Sequence, residues 1–261
     1  MLKVRDLKVQ YGNQAPTIEH FDLDMKKGEI ISIVGESGSG KTTIIRSILH
    51  ALPYQTRVAA VTLEFEGKSL LSMTNSQWSE LRGTDISMIF QDSGASLNPI
   101  RRIGKQYVDY IRTHRKMPVK EAAALAEDML AKMRLPDAKR VMNSYPYQLS
   151  GGMRQRVGIA MAMTFQPKLL LADEPTSALD ITTQVQIVKQ MMELRDTYGT
   201  SIIIVTHNLG VAAYMADQLI VMKNGRIEDK GSKEKVLRQP ESEYTKKLLQ
   251  AVPELEGYRF V

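Results

Sequence analysis

Residues 35–42 have the types and the spacing of a phosphate-binding loop. They follow the pattern G-x-x-x-x-G-K-[ST] and read Gly35-Glu36-Ser37-Gly38-Ser39-Gly40-Lys41-Thr42. Glycines let the backbone turn so that successive N–H groups point at phosphate oxygens, and a helix that starts at Lys41 adds unpaired N–H groups and its dipole. Lys41 can reach the β- and γ-phosphates, and Thr42 can offer a hydroxyl to Mg²⁺. We therefore predict a nucleotide site at these residues, and we extend it to Thr43.

Two acids follow an apolar segment later in the chain. Residues 169–174 read Leu-Leu-Leu-Ala-Asp-Glu, which predicts a buried strand ending in Asp173 and Glu174. At the C-terminal end of a parallel strand, these side chains would face the same edge as the phosphate loop. Asp173 suits the coordination shell of Mg²⁺, and Glu174 suits a general base that polarises a water molecule. An ordinary strand end before the turn at Pro175 is the alternative from these residues alone.

A short glycine-rich segment, Leu149-Ser150-Gly151-Gly152-Met153, precedes a helical pattern. Ser150 can cap a helix that begins at Gly151, and the two glycines leave the N-terminal amides of that helix bare. Such a helix end suits an anion, although a capped helix whose amides meet only water fits these five residues equally well. Because the phosphate loop already occupies one side of a nucleotide, we expect this second anion site to face a nucleotide held by another subunit.

In combination, these three motifs resemble the nucleotide-binding domains of ABC transporters, although the family usually has Gln where this chain has Met153. The resemblance covers nearly the whole chain. It implies hydrolysis of ATP with Mg²⁺ as cofactor, and a head-to-tail dimer that holds two nucleotides between the phosphate loop of one subunit and the signature of its mate. No acid or histidine of the family's set is missing, so the implied site is competent for hydrolysis.

The resemblance also implies roles for four further residues. These are stacking on adenine for Tyr11, an approach to Mg²⁺ and the attacking water for Gln91, a place in the cross-dimer loop 177–180 for Asp180, and a γ-phosphate contact for His207. Each residue has an ordinary structural interpretation as well. Tyr11 could be a half-buried strand residue, and the Gln91 amide could be bonded to the loop backbone. Asp180 could be a helix N-cap, and His207 could be a structural histidine.

The segments around these motifs alternate between strand-like and helix-like patterns. Alternating apolar and polar residues predict half-buried strands at 2–10 and 17–25, and apolar runs predict buried parallel strands at 30–34, 169–172 and 202–205. Helix formers dominate residues 100–165. The predicted fold class is α/β, a P-loop (RecA-like) parallel-sheet core with an N-terminal antiparallel β subdomain and an inserted α-helical subdomain. The predicted parts of this single domain are the nucleotide-binding core at 1–90 and 160–232, the helical subdomain at 91–159 and a C-terminal helical extension at 233–261.

Composition excludes several other classes of protein. The chain has no cysteine, which excludes disulfides and thiolate metal sites. The net charge is +6, but the basic residues are spread along the chain without a block of five like charges, and we expect no nucleic-acid partner. The apolar runs are far shorter than the ~20 residues of a spanning helix, so a transport role would require separate membrane subunits.

Three segments resemble the dipeptide/oligopeptide/nickel importer branch of the family, namely 92–99, 144–148, and 244–249 with Pro253. The branch implies a second, homologous ATPase or a second copy, two integral-membrane permeases and, indirectly, an extracytoplasmic solute-binding protein. It also implies a peripheral position at the cytoplasmic face of the cell membrane. The branch usually has His-Pro where this chain has Ser242-Glu243, and the short tail without cysteines leans toward nickel or metal-chelate members. Peptides and nickel or metal chelates both stay open as solutes.

Two other functions remain as alternatives from the sequence. One is a soluble ABC ATPase that acts on nucleic acid or ribosomes, which in the family carries a long coiled-coil insertion or two tandem cassettes. The other is a non-catalytic partner subunit that binds ATP as a clamp, which would lack Glu174 or His207 or have a broken signature. This chain shows none of these features.

Overall fold

The computed structural model describes residues 1–91, 93–94, 96–177 and 179–251, and the backbone of 254–255 and 258–259. Asp92, Ala95, Ala178 and Pro253, which belong to segments singled out above, lie outside the described residues, as does part of the predicted C-terminal extension. The chain forms two compact units. The first contains Met1–Asn75 and Ser201–Val261, and the second contains Ser76–Thr200.

An antiparallel sheet opens the first unit. Its central strand, β1, pairs with β2, β4 and β5, and β5 pairs with β6. Alternate residues of β1 are buried, including Leu2, Val4, Leu7 and Val9, which confirms the predicted half-buried strands. The strands are β1 (Leu2–Tyr11), β2 (Ile18–Met25), β4 (Thr56–Ala59), β5 (Thr62–Phe65) and β6 (Lys68–Ser69).

A mixed sheet completes the first unit, in the order β11-β10-β3-β9. Strands β10, β3 and β9 are parallel, and β11 is antiparallel to β10. Every residue of β3 and β9 is buried, as expected for parallel strands covered on both faces. The elements are β3 (Ile30–Val34), α1 (Lys41–Ile48), β9 (Ser201–Thr206), α8 (Leu209–Met215), β10 (Gln218–Lys223), β11 (Arg226–Ser232), α9 (Lys233–Arg238) and α10 (Glu243–Gln250).

The C-terminal helices pack onto the core of the first unit. Val236 of α9 and Leu249 of α10 lie in one apolar cluster with Val34 of β3 and Leu219 of β10. The part of the predicted extension up to Gln250 is therefore largely helical. The chain beyond them also contains two short paired strands, β12 (Glu254–Leu255) and β13 (Tyr258–Arg259), where a helical extension was expected.

The second unit combines two parallel strands with helices. Strands β7 and β8 are paired, and the phenolic hydroxyl of buried Tyr107 in α3 lies 2.9 Å from the hydroxyl of Thr164, which caps the C-terminus of α6. The helix-rich pattern predicted for 100–165 is confirmed. The elements are α2 (Asn75–Leu81), β7 (Ile86–Ile89), α3 (Ile103–His114), α4 (Val119–Lys132), α5 (Ala138–Asn143), a 3₁₀ turn (Pro146–Gln148), α6 (Gly151–Met163), β8 (Leu169–Asp173) and α7 (Ile181–Tyr198).

Within the described part of the chain, no helix combines the length and the apolar character that crossing a membrane requires.

Candidate active site

The predicted phosphate loop connects β3 to α1, and two of its glycines are required by close contacts. Gly35 has φ +151°, and a Cβ added there would lie 2.2 Å from the carbonyl oxygen of Met222 in β10. Gly40 has φ +98°, and its added Cβ would lie 2.3 Å from Cδ1 of Ile18. A side chain at Gly35 would push the loop away from β10, whereas a side chain at Gly40 would displace the end of the Ile18 side chain and would have to adopt an unfavourable positive φ. The loop is thus seated directly against the sheets of the first unit.

Lys41 closes over the loop that precedes it. Its side chain is buried, and its ammonium donates hydrogen bonds to the carbonyl oxygens of Gly35 at 2.8 Å and Glu36 at 2.7 Å. These bonds hold a positive charge beside the backbone N–H groups of the loop and the N-terminus of α1. The helix dipole and this ammonium act together to favour an anion at the loop.

Tyr11 and His207 lie in the same unit as the phosphate loop. Tyr11 ends β1, and its hydroxyl oxygen lies 3.1 Å from Oγ1 of Thr43 in α1. His207 is exposed and directly follows β9. Because Val34 and Thr206 are register partners in adjacent parallel strands, Gly35 and His207 leave the same edge of the sheet side by side. The structure therefore brings these residues together with 35–43.

The other predicted site residues lie in the second unit, where Gln91 meets Glu174. Ile89 of β7 and Ala172 of β8 are register partners, so Gln91 and Glu174 each follow two residues later. The side-chain amide of Gln91 donates to a carboxylate oxygen of Glu174 at 3.3 Å. Asp173 precedes Glu174 as the last residue of β8 and is buried. One end of this strand pair thus carries an amide and two carboxylates.

Glu174 has an unusual backbone conformation, with φ +44°. Residues other than glycine rarely adopt this region, and such strain concentrates at functional sites. The turn that follows is held by Gln155 of α6, whose buried side-chain amide donates to the carbonyl oxygen of Pro175 at 2.7 Å. Sequence reasoning missed Gln155. Its spacing could have revealed it, because Gln155 shares the i, i+4 face of buried Ile159 and is the polar residue on that face.

The glycine-rich helix end is capped as predicted and faces open space. The hydroxyl of Ser150 accepts a hydrogen bond from the backbone N–H of Met153 at 3.2 Å. Gly151 is exposed and Gly152 is half-buried. They border an open cavity of about 380 Å³ that is lined by Ser150, Gly151, Gly152, Met153, Arg156, Leu179, Asp180 and Thr183. Since the first N–H groups of a helix lack acceptors within the helix, this cavity suits an anion.

A second helix begins at the same cavity. Asp180 is the N-cap of α7, and its carboxylate accepts hydrogen bonds from the backbone N–H of Thr183 at 2.9 Å and from its hydroxyl at 2.7 Å. The bond from the Thr183 backbone, with the bond from its hydroxyl, lowers the pKa of the Asp180 carboxyl below its ordinary value. Asp180 is therefore a structural cap, as one interpretation of the sequence proposed. A role toward a nucleotide stays a prediction.

The fit between Gly152 and Thr183 can be tested by substitution. A Cβ added at Gly152 would lie 2.7 Å from Cγ2 of Thr183, whose rotation is opposed by its hydrogen bond to Asp180. We expect Gly152→Ala to lower the free energy of unfolding by about 2 kcal/mol. Thr183→Ser removes Cγ2 but keeps the hydroxyl, so the double variant should recover most of the loss in urea denaturation. A double variant no more stable than Gly152→Ala would contradict this packing.

Comparison with known proteins identifies relatives along nearly the whole chain. A family model described as "ABC transporter" matches residues 18–177. A probable peptide ABC transporter ATP-binding protein of Sinorhizobium fredii is 41% identical over 258 residues, which are 97% of this chain and 77% of that protein. The oligopeptide transport ATP-binding protein OppD of Bacillus subtilis is 40% identical over 264 residues, 98% of this chain and 73% of that protein.

Solved structures with the same architecture are also similar in sequence. A dimeric ATP-binding cassette in a post-hydrolysis state, bound to ADP and Pi, has a TM-score of 0.76 at 28% identity, covering 89% of this chain and 98% of that chain. The protein cbiO1 of Clostridium perfringens, part of the ABC transporter complex cbiONQ, has a TM-score of 0.76 at 27% identity, covering 92% of this chain and 91% of that chain. These likenesses confirm the predicted fold class.

Proposed function

This chain belongs to the ABC transporter family as an ATP hydrolase, and on that premise we propose that it powers peptide uptake through separate permease subunits. The main structural support for this proposal is the open cavity at Ser150, Gly151 and Gly152. A phosphate loop is common to many nucleotide-binding proteins, whereas a glycine-led helix end that faces open space suits a nucleotide held elsewhere.

The phosphates of ATP would bind at residues 35–43. The backbone N–H groups of the loop would donate to the phosphate oxygens, and Lys41 would exchange a carbonyl partner for the β- and γ-phosphates. Tyr11 would contact the adenine from the end of β1. Its hydroxyl contact with Thr43 supports this placement, because the contact fixes the ring beside the first turn of α1.

Hydrolysis would depend on Glu174, Gln91 and His207. The Gln91 amide donates to an oxygen of the Glu174 carboxylate, and this carboxylate would accept a proton from the attacking water. His207 would donate to the γ-phosphate, where negative charge develops as the phosphoryl group transfers. These three groups, with Lys41 and the loop amides, would provide the positioning and charge stabilisation that this chemistry requires.

The donor set also fits the Mg²⁺ ion that the family implies. Thr42 lies in the first turn of α1, Asp173 ends β8, and Gln91 follows β7. A hydroxyl, a carboxylate and an amide oxygen are hard ligands of the kind that Mg²⁺ prefers, together with substrate phosphates and water. When bound, the ion would neutralise charge on the β- and γ-phosphates.

The cavity at the start of α6 would receive the γ-phosphate of ATP bound to a second copy or to a homologous ATPase. Two helix N-termini meet there, α6 capped by Ser150 and α7 capped by Asp180, and Arg156 adds a guanidinium to the lining. A structural relative of this chain is dimeric in a state bound to ADP and Pi, which supports such a pairing.

A groove in the second unit would bind a helix of the permease. It encloses about 780 Å³ and carries two exposed apolar side chains, Ile100 and Val119, which are 82% and 56% exposed. Its charged lining has more cations than acids: Arg101, Arg102, Lys105, Arg112, Asp109 and Glu127. An amphipathic helix with an apolar face and acidic flanks would complement this groove. The protein would thereby sit at the cytoplasmic face of the membrane.

Peptides are the solute class that the relatives favour. The curated relatives described above are named for peptide or oligopeptide transport. The solute would be captured by an extracytoplasmic binding protein and passed to two permeases. Nickel or metal chelates are the alternative solute class.

An uptake assay tests the function and the groove together. In cells that lack the gene for this chain, we expect the wild type to restore uptake of labelled oligopeptides. Ile100→Asp should fail to restore it, although the purified variant binds ATP normally, because a buried carboxylate would oppose docking. The matched control is Val61→Asp, since Val61 is also highly exposed, at 77%, but lies in the first unit. Restored uptake of a nickel chelate alone would contradict the solute class, and uptake independent of the chain would contradict the function.

A further inference from the structure

Tyr244 of α10 contacts the phosphate loop although 208 residues separate them in sequence. Its hydroxyl oxygen accepts a hydrogen bond from the backbone N–H of Glu36 at 3.2 Å. Glu36 is the second residue of the loop, directly after Gly35. The hydroxyl thus satisfies a backbone donor at the start of the loop. This contact links the C-terminal helix to the part of the protein that would bind ATP.

The same residue of the loop also contacts Lys41. The carbonyl oxygen of Glu36 accepts hydrogen bonds from the Lys41 ammonium at 2.7 Å and from the backbone N–H of Ser39 at 3.2 Å. The peptide groups on either side of Glu36 therefore connect the Tyr244 hydroxyl to the lysine that would neutralise the phosphates. A rotation of this segment would move both contacts at once.

The ring of Tyr244 is held in place from the side of β10. It packs against the apolar cluster of the first unit together with Leu248, and the Lys223 ammonium lies 4.7 Å from the ring centroid. Burial of the ring raises the pKa of the Tyr244 hydroxyl above its ordinary value. The hydroxyl therefore stays protonated and neutral at physiological pH beside the Glu36 amide.

Helix α10 is in turn anchored at its N-terminus by β11. The two carboxylate oxygens of buried Asp229 accept hydrogen bonds from the backbone N–H groups of Glu241 at 3.1 Å and Ser242 at 3.0 Å. The hydroxyl of Ser242 caps the helix by accepting from the N–H of Tyr244 at 3.1 Å. The N-terminus of α10 and the ring of Tyr244 are thus both held in place. The Tyr244 hydroxyl therefore contacts the loop from a rigid position.

We propose that Tyr244 is a positioning residue for ATP binding, whose hydroxyl fixes the Glu36 segment and thereby the place of Lys41 at the phosphate loop. This inference rests on the proposed binding of ATP at residues 35–43. Tyr244 does not touch the nucleotide in this scheme. The hydrogen bond from Glu36 to Tyr244 already restricts the conformations of the loop before ATP binds. The loop therefore loses less conformational entropy on binding, and the entropic cost of binding is lower.

Tyr244→Phe tests the proposal because it removes the hydroxyl and keeps the ring, its packing and its contact with Lys223. We expect the dissociation constant for ATP to rise about fivefold, as for the loss of one net hydrogen bond. The KM for ATP should rise by a similar factor, while kcat changes less than about twofold. The matched control is Tyr214→Phe in α8, whose side chain is exposed. Titration with a fluorescent ATP analogue and steady-state phosphate release measure these values on the full chain.

A second variant separates positioning from a loss of folding. Lys223→Met keeps an unbranched apolar stem but removes the ammonium over the ring, and we expect a smaller rise in the dissociation constant, about twofold. Both variants should unfold within a few degrees of the wild type. An unchanged or lower dissociation constant in Tyr244→Phe, or a change confined to the unfolding temperature, would overturn the proposal. A wild-type chain that binds no ATP would instead contradict the proposed function of residues 35–43.

Discussion

A Glu174→Gln variant is expected to bind ATP normally, to hydrolyse it about a thousandfold more slowly, and to dimerise when ATP is present. The amide keeps an oxygen that can accept the hydrogen bond from Gln91, so the local structure should persist. It cannot take a proton from the attacking water. Without hydrolysis, the γ-phosphate would stay in place and, in the proposed dimer, would continue to join the phosphate loop of one copy to the helix end at Gly151 of the other.

Phosphate release and light scattering after size exclusion measure the two effects. A homologous partner ATPase should be added in a parallel sample, because the proposed dimer contains either two copies or two related chains. The matched control is Glu193→Gln, which removes a negative charge from the exposed pair with Arg134 in the same unit and should leave hydrolysis unchanged. Normal hydrolysis by Glu174→Gln would reject the role of the carboxylate. A variant that stays monomeric with ATP, alone and with the partner, would reject the shared nucleotide site.

Local sequence patterns were sufficient to predict the parts of the site that depend on neighbouring residues. The glycine spacing of the phosphate loop predicts a tight turn between a strand and a helix, and the structure places β3 before it and α1 after it. Ser150 and Asp180 cap their helices because short polar side chains reach N–H groups three residues ahead. Helix α1 begins at Lys41, as predicted, and ends at Ile48, and His50 follows with a positive φ of 51°.

Contacts between distant segments could not be predicted in the same way. Tyr244 and Glu36 are 208 residues apart, and their contact depends on the pairing of β10 with β3 and on the anchoring of α10 at Asp229. Gln155 likewise holds the carbonyl of Pro175 across the second unit. The spacing of Gln155 marks it as a buried polar residue but does not identify its partner, because one hydrogen bond between two elements imposes no spacing on either. The sequence therefore predicts which residues could bind a nucleotide but not which residues support them.

Because the phosphate loop lies against β10, we expect a substitution at Gly35 to lower the stability of the protein strongly. In Gly35→Ala, the new Cβ would lie 2.2 Å from the backbone oxygen of Met222, and the residue would have to keep φ at +151°. A backbone oxygen in a paired strand cannot move aside as a flexible side chain can. We expect the free energy of unfolding to fall by about 3 kcal/mol, measured by urea denaturation without nucleotide. ATP binding should weaken as well, because the loop would leave its position against β10.

Gly38→Ala is the control that separates contact from backbone strain. Gly38 also has a positive φ, +82°, but an added Cβ would meet no heavy atom within 4 Å. Its cost should be limited to the left-handed conformation, about 1 kcal/mol. The difference between the two variants then measures the close approach of the loop to Met222, because both carry the same change in side chain. Equal losses would show that conformational strain alone explains the glycines, and that β10 does not fix the position of the loop.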